Sequence, residues 1–152
     1  EPLVSSSERK RKQLGLQNLK FLFCNVNISL DEWLSDLDLD QLKRVSIQFP
    51  DPWFKRKHLK RRVFKKSLLN SIARYMSKNG ELFIQSDIFK LIEYMSASID
   101  DSIYFDRKVV KGEKWLKKNP YEVLTDRESF VLKHNLPIYR AMYIRNSALF
   151  IN

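Results

Sequence analysis

The chain has 152 residues, 43% apolar, 12% aromatic and 30% charged, which suits one globular domain with a real core. No stretch approaches the ~20 apolar residues of a bilayer crossing, and with one cysteine (Cys24) and two distant histidines (His58, His134) no internal disulfide and no metal centre is expected. Net charge is +10, yet eight lysines and arginines lie between Lys55 and Lys66 with no acid among them, leaving +2 for the rest of the chain. So concentrated a run is the footprint of a polyanion, with nucleic acid ahead of an anionic membrane; a solvated face or an import tag is the alternative reading.

The opening residues, "EPLVSSSERKRK", lack an initiator methionine and form neither a signal peptide nor an acid-poor transit sequence, so the chain is expected to begin inside a larger protein. "SSSERKRKQLG" predicts a helix with a capping serine, closed by Gly15. "NLKFLFC" predicts a short buried strand in which Cys24 is an inert core thiol of a reducing compartment. Ser29 and Glu32 have capping-box spacing ahead of Leu30, Trp33, Leu34 and Leu37. "RVSIQF" is the next strand, stopped by Pro50 and Pro52. Phe64, Leu68, Ile72, Tyr75 and Met76 share one helical face, with "KNG" as its C-cap. "ELFIQS" is a third strand and Ile88, Leu91, Ile92, Met95 and Ile99 mark another amphipathic helix. A weaker strand at "SIYFDRKVV", a helix over Thr125–Leu132 and a strand at "PIYRAMYI" complete the order.

Alternating strands and helices with short connections predict an α/β fold, a mostly parallel sheet with helices on both faces. Ligands of such sheets bind beyond the carboxyl ends of the strands, where "CN", "FPDPW" and "SD" follow the predicted strands. Asp51 is thus a site candidate: Pro50 and Pro52 restrict the backbone on both sides of its carboxylate, and neighbouring cations favour its ionised form. Trp53 is either a base-stacking platform or a packing residue.

"FPDPWFKRKHLKRR", with "NLKFLFCN" upstream and "GELFIQSD", "TDRE" and "PIYRAMY" downstream, resembles the tRNA (guanine-N7-)-methyltransferases, over about Glu1 to Arg145. The resemblance implies a Rossmann-like methyltransferase fold, S-adenosylmethionine as cofactor and tRNA as partner. It implies Asp51 as the active-site residue, beside the cofactor as well. Lys55, His58, Arg61 and Asp87 become substrate contacts, as does Thr125 to Glu128 with Asp126 and Arg127. Asn25, near the cofactor's adenine, stands where the family usually has aspartate, and Ser86 where threonine is common.

Only Gly15, Gly80 and Gly112 are present, so the family's strand–glycine-rich turn–strand is missing. The resemblance places it upstream of Glu1. Residues 1–152 then form the C-terminal two-thirds of a single catalytic domain, expected to be inactive or nearly so alone and to bare a hydrophobic sheet edge. The implied compartment is the cytoplasm, or an organelle if an address precedes Glu1.

Guanine N7 carries an in-plane lone pair and no proton near neutral pH, so methyl transfer to it needs no strong base and His58 is not expected to be one. Arg56, Lys57, Lys60, Arg61, Arg62, Lys65 and Lys66 are expected phosphate contacts. Thr125 and Glu128 also have capping-box spacing, and an acid such as Asp87 is favoured at any helix start, so structural roles stand beside the functional ones. Two other functions remain: a non-catalytic basic RNA-binding module, and a methyltransferase acting on an exocyclic amine.

Overall fold

The computed structural model describes residues 2–38, 41–54, 56–109 and 112–150. In chain order the elements are α1 (Pro2–Gln13), α2 (Val26–Ser35), β1 (Leu42–Gln48), a 3-10 turn (Arg56–Arg61), α3 (Lys66–Tyr75), β2 (Met76–Ser86), α4 (Phe89–Asp100), β3 (Phe105–Arg107), α5 (Asp126–Lys133) and β4 (Tyr139–Arg145). The sheet runs β1-β2-β4-β3. β1 and β2 are parallel, while β4 is antiparallel to β2 and to β3.

Side-chain alternation sorts the sheet into two faces. Leu82 and Ile84 of β2 stand beside Tyr143 and Ala141 of β4 and join Leu68, Leu69 and Ile72 of α3 and Leu91, Ile92, Met95 and Ile99 of α4 in the main core. The opposite parity, Phe83 and Gln85 with Met142 and Arg140, faces α5 and Tyr121. Helices therefore cover both faces, as the alternation of elements predicts, and the fold is a methyltransferase-like α/β arrangement.

Among the described strands the sheet is mixed and not mostly parallel as expected: one pairing is parallel and two are antiparallel. Tyr139 enters the sheet opposite Ser86, the last residue of β2, so β4 must run back against it.

Several local expectations differ from the structure. Residues 18–24 form no ladder: Phe21 N–H donates to Glu8 Oε1 of α1 at 3.1 Å, and Phe23 is 70% exposed. An extended segment becomes a strand only where a neighbour offers a ladder, and none of the described strands does so here. Cys24, expected in the core, is exposed.

Asn25, not Ser29, caps α2, its Oδ1 accepting the Asn27 N–H at 3.2 Å. The "KNG" turn lies within β2 instead of capping α3. Leu42 pairs with Met76 but Arg44 with Glu81, so β2 carries extra residues there, and Asn79 takes φ 65°.

Gly80 has a packing reason at this bulge. A Cβ there would lie 2.5 Å from Met76 Cγ and 2.8 Å from the Ser77 carbonyl oxygen. Gly80→Ala is expected to destabilise by about 1–3 kcal/mol, the usual cost of forced overpacking. Leu82→Ala, at a fully buried core position, is expected to cost about 2–5 kcal/mol through lost burial and a residual cavity. Urea unfolding midpoints at unchanged slope measure both.

Candidate active site

Because β1 and β2 are parallel and in register through Gln48 and Gln85, both chains leave the sheet at the same edge. After β1 the Phe49 N–H still donates to the Gln85 carbonyl at 2.9 Å, and the chain then turns through Pro50-Asp51-Pro52. Phe49 and Trp53 have φ of 47° and 37°. Bulky residues rarely adopt such values, so backbone strain brackets the Asp51 turn. After β2, Ser86 Oγ accepts the Ile88 N–H at 3.1 Å and fixes the start of α4 beside Asp87.

These two exits and the start of α5 enclose a cleft of about 430 Å³, lined by Gln48, the Phe49–Pro52 turn, Asp87, Ile88, Thr125 and Arg127. Of the sequence candidates, Asp51, Asp87, Thr125 and Arg127 thus come together across long separations in the chain. Asp51 is exposed. Asp87 is largely covered and pairs with Arg127 Nη2 at 2.5 Å. Thr125 is the N-cap of α5, its Oγ1 accepting the Glu128 N–H at 3.1 Å.

The remaining candidates lie elsewhere. His58 and Arg61 flank Trp53, with the imidazole centroid 5.4 Å and the guanidinium carbon 5.1 Å from its ring. The half-buried indole is thus clasped by its own loop. Arg61 also borders a second cavity, where Lys60, Arg61, Arg62 and Val63 face Cys24, Asn25 and Asn27. Asn25 therefore faces the basic segment and does not share the cleft of Asp51. Asp126 is exposed in the first turn of α5, where the helix dipole favours an acid. Lys55 lies outside the described residues.

Glu128 is placed differently from the substrate contact expected of it. It has no solvent exposure. One carboxylate oxygen accepts from Arg140 Nη2 at 2.6 Å and Nε at 3.2 Å. The other accepts from Asn119 Nδ2 at 2.7 Å and Gln85 Nε2 at 3.2 Å. The Thr125–Glu128 spacing is therefore half a capping box: the threonine caps the helix, and the glutamate turns inward.

Burial would raise the Glu128 pKa, but hydrogen bonds from Arg140, Gln85 and Asn119 outweigh it and hold the carboxyl below its ordinary 4.5. Gln48, Gln85, Asn119 and Arg140 were not sequence candidates. A signal existed, since "LFIQS" and "YRAMY" each place a polar residue inside an apolar strand, where it must find a buried partner.

For a nucleoside cofactor the described residues supply only part of a site. An apolar cavity of about 360 Å³ lies between α2 and β1, sharing Gln48 and Pro50 with the cleft. No carboxylate lines it to hold a ribose, and the Asn25 side-chain oxygen is engaged as a cap. A complete S-adenosylmethionine site is not formed by these residues. Among the described residues no group of three or more His, Cys, Asp or Glu could hold a metal, and no helix is long and apolar enough to cross a membrane.

The model of a methyltransferase family matches residues 1–141. A tRNA (guanine-N(7)-)-methyltransferase of Prochlorococcus marinus (strain NATL2A) is 71% identical over all 152 residues, which span 71% of that relative. A protein of the same name from Prochlorococcus marinus (strain MIT 9313) is 54% identical over 145 residues, 95% of this chain and 61% of that relative. Another, from Parasynechococcus marenigrum (strain WH8102), is 48% identical over 147 residues, 97% of this chain and 62% of that relative.

The depressed Glu128 pKa has a signed consequence for stability. Its contribution is present above the unfolded value near 4.5 and is lost as pH falls through the lower folded value. The wild-type melting temperature is therefore expected to drop more steeply below about pH 4.5 than that of Glu128→Gln, which has no carboxylate to protonate. Thermal scans across that range measure the difference; parallel curves would show that Glu128 is not held charged.

Proposed function

Since the chain belongs to the tRNA (guanine-N7-)-methyltransferase family, we propose that it transfers a methyl group to N7 of a guanine in tRNA, with S-adenosylmethionine as the donor. One observation carries the assignment of the site: the cleft at the carboxyl ends of β1 and β2, where Asp51, Asp87, Thr125 and Arg127 meet. A run of cations begins directly after the Asp51 turn. The donor supplies an electrophilic methyl group when bound, and binding and orienting the base fall to residues of this chain.

Guanine N7 presents its lone pair without a base having to remove a proton. The protein's tasks are to align the purine, to exclude water and to offset the positive charge that methylation leaves on the ring. Asp51 is the group assigned to that charge, either directly or by accepting N–H protons of the guanine's Watson–Crick edge. Strain on both sides of its turn constrains the backbone that presents this carboxylate.

Asp87 and Arg127, joined as an ion pair, offer an acceptor and donors to the same base or its ribose, and Thr125 adds its hydroxyl. Lys55, Lys57, His58, Lys60, Arg61 and Arg62 would contact the phosphate backbone. Such contacts position an RNA without reading its sequence. The target base must also leave its stack to enter the cleft, as base-modifying enzymes require. The clasp of Trp53 by His58 and Arg61 gives the cationic arm a fixed shape next to that opening.

In the full-length protein, Asp51→Ala is expected to reduce N7-methylguanosine formation by about 100-fold or more, the usual scale for losing one charge-stabilising group. Binding of unmodified tRNA should persist. The product is scored by chain cleavage at N7-methylguanosine. Normal turnover by the variant would remove Asp51 from the chemistry, and methylation at an exocyclic amine would overturn the reaction class.

Joint replacement of Lys57, Lys60 and Arg61 by alanine is expected to weaken tRNA binding and flatten its salt dependence, by about one unit of log–log slope for each phosphate no longer neutralised. Titrations between low and moderate salt read this slope. An unchanged slope would move the RNA-binding surface elsewhere.

A further inference from the structure

We infer that Glu128, Arg140 and Gln85 are positioning residues that set the cleft from beneath, and that the Glu128 carboxylate acts through them without contacting the substrate. The inference rests on the reaction proposed above. Both oxygens of Glu128 are occupied by protein donors, and the residue is closed to solvent. A carboxylate in that state has no lone pair turned to a nucleotide.

The residue is instead tied to the start of α5 and, through Gln85, to the ends of β1 and β2. Its backbone N–H binds the Thr125 hydroxyl, so Glu128 and Thr125 share the first turn of α5. The residue before it, Arg127, reaches across to Asp87. Gln85 uses both of its N–H donors and its carbonyl oxygen at the base of the cleft. Its Nε2 donates to Glu128 and, at 2.5 Å, to Gln48 Oε1, while its Oε1 accepts from Arg140 Nε at 3.1 Å. Gln48 itself lines the cleft.

Arg140 is buried, and besides Glu128 and Gln85 its guanidinium reaches the Lys117 carbonyl at 3.4 Å. One network thus ties β1, β2, β4 and the start of α5 at the edge where Asp51 and Asp87 leave the sheet. A change at Arg140 or Glu128 would shift Thr125 and Arg127 relative to Asp87 without removing any group that faces the substrate.

Double-mutant cycles on the full-length protein separate this role from a direct contact. Glu128→Gln is close to isosteric and is expected to fold, to lower kcat by about tenfold and to leave the KM for tRNA within about threefold, since the cationic arm is untouched. Arg140→Gln in that background should add little, because both changes break one network. Amide exchange over residues 125–129 should rise in both single variants.

An apolar pair, Glu128→Leu with Arg140→Met, removes the buried charges together and is expected to keep a melting temperature close to wild type while kcat stays low. Additive losses from Glu128→Gln and Arg140→Gln with unchanged amide exchange would make Glu128 a substrate contact and overturn the proposal. Full activity in the folded apolar pair would overturn it too. If the apolar pair does not fold, the Glu128→Gln cycle decides alone. Absence of N7-methylguanosine with the wild-type protein would instead overturn the reaction, and the exchange data would still test the network.

Discussion

The Glu128 carboxylate cannot be buried alone. Taking an ion out of water costs several kcal/mol, and the loss is offset only when a counter-charge and enough hydrogen bonds meet it inside the protein. Here Arg140 provides the charge and Gln85 and Asn119 provide further donors. Glu128 lies at a helix start and its partners come from two strands and the 119–121 segment, so satisfying one group ties all of these together. Apolar packing is concentrated on the other face, under α3 and α4.

That division sets the apolar core apart from the candidate site. The main core is apolar, with Leu82, Ile84, Ile92 and Met95 fully buried. Its buried Tyr143 hydroxyl is satisfied by Ser96. The second face collects polar groups toward the carboxyl ends of the strands. Strained turns, paired acids and the cationic arm all cluster at that edge, where loops are free to depart from regular geometry because the sheet behind them is rigid.

Trp53 shows how the two halves of the site connect. Its backbone continues the strained turn that carries Asp51, while its ring is held by His58 and Arg61 of the cationic arm. The candidate cleft and the cationic arm are therefore joined through Trp53.

Much of this was legible in the sequence alone. Helical spacing of apolar residues located α3 and α4, because periodicity records which face an element buries, and β1, α5 and β4 also lie where the sequence predicts them. Local charge density marked the cationic arm, and the proline-flanked acid at a strand end marked Asp51 as a site candidate. Segments whose fate depends on distant partners were not legible. Residues 18–24 have strand composition but find no ladder among the described strands, and Lys78–Gly80 reads as a helix stop yet lies in a bulged strand that β1 pairs with. Glu128 has the spacing of a cap and of a substrate residue, yet its side chain turns into the protein. Only tertiary structure decided that, because a buried carboxylate goes where its counter-charge is, and Arg140 arrives from another strand, facing Glu128 across the sheet surface.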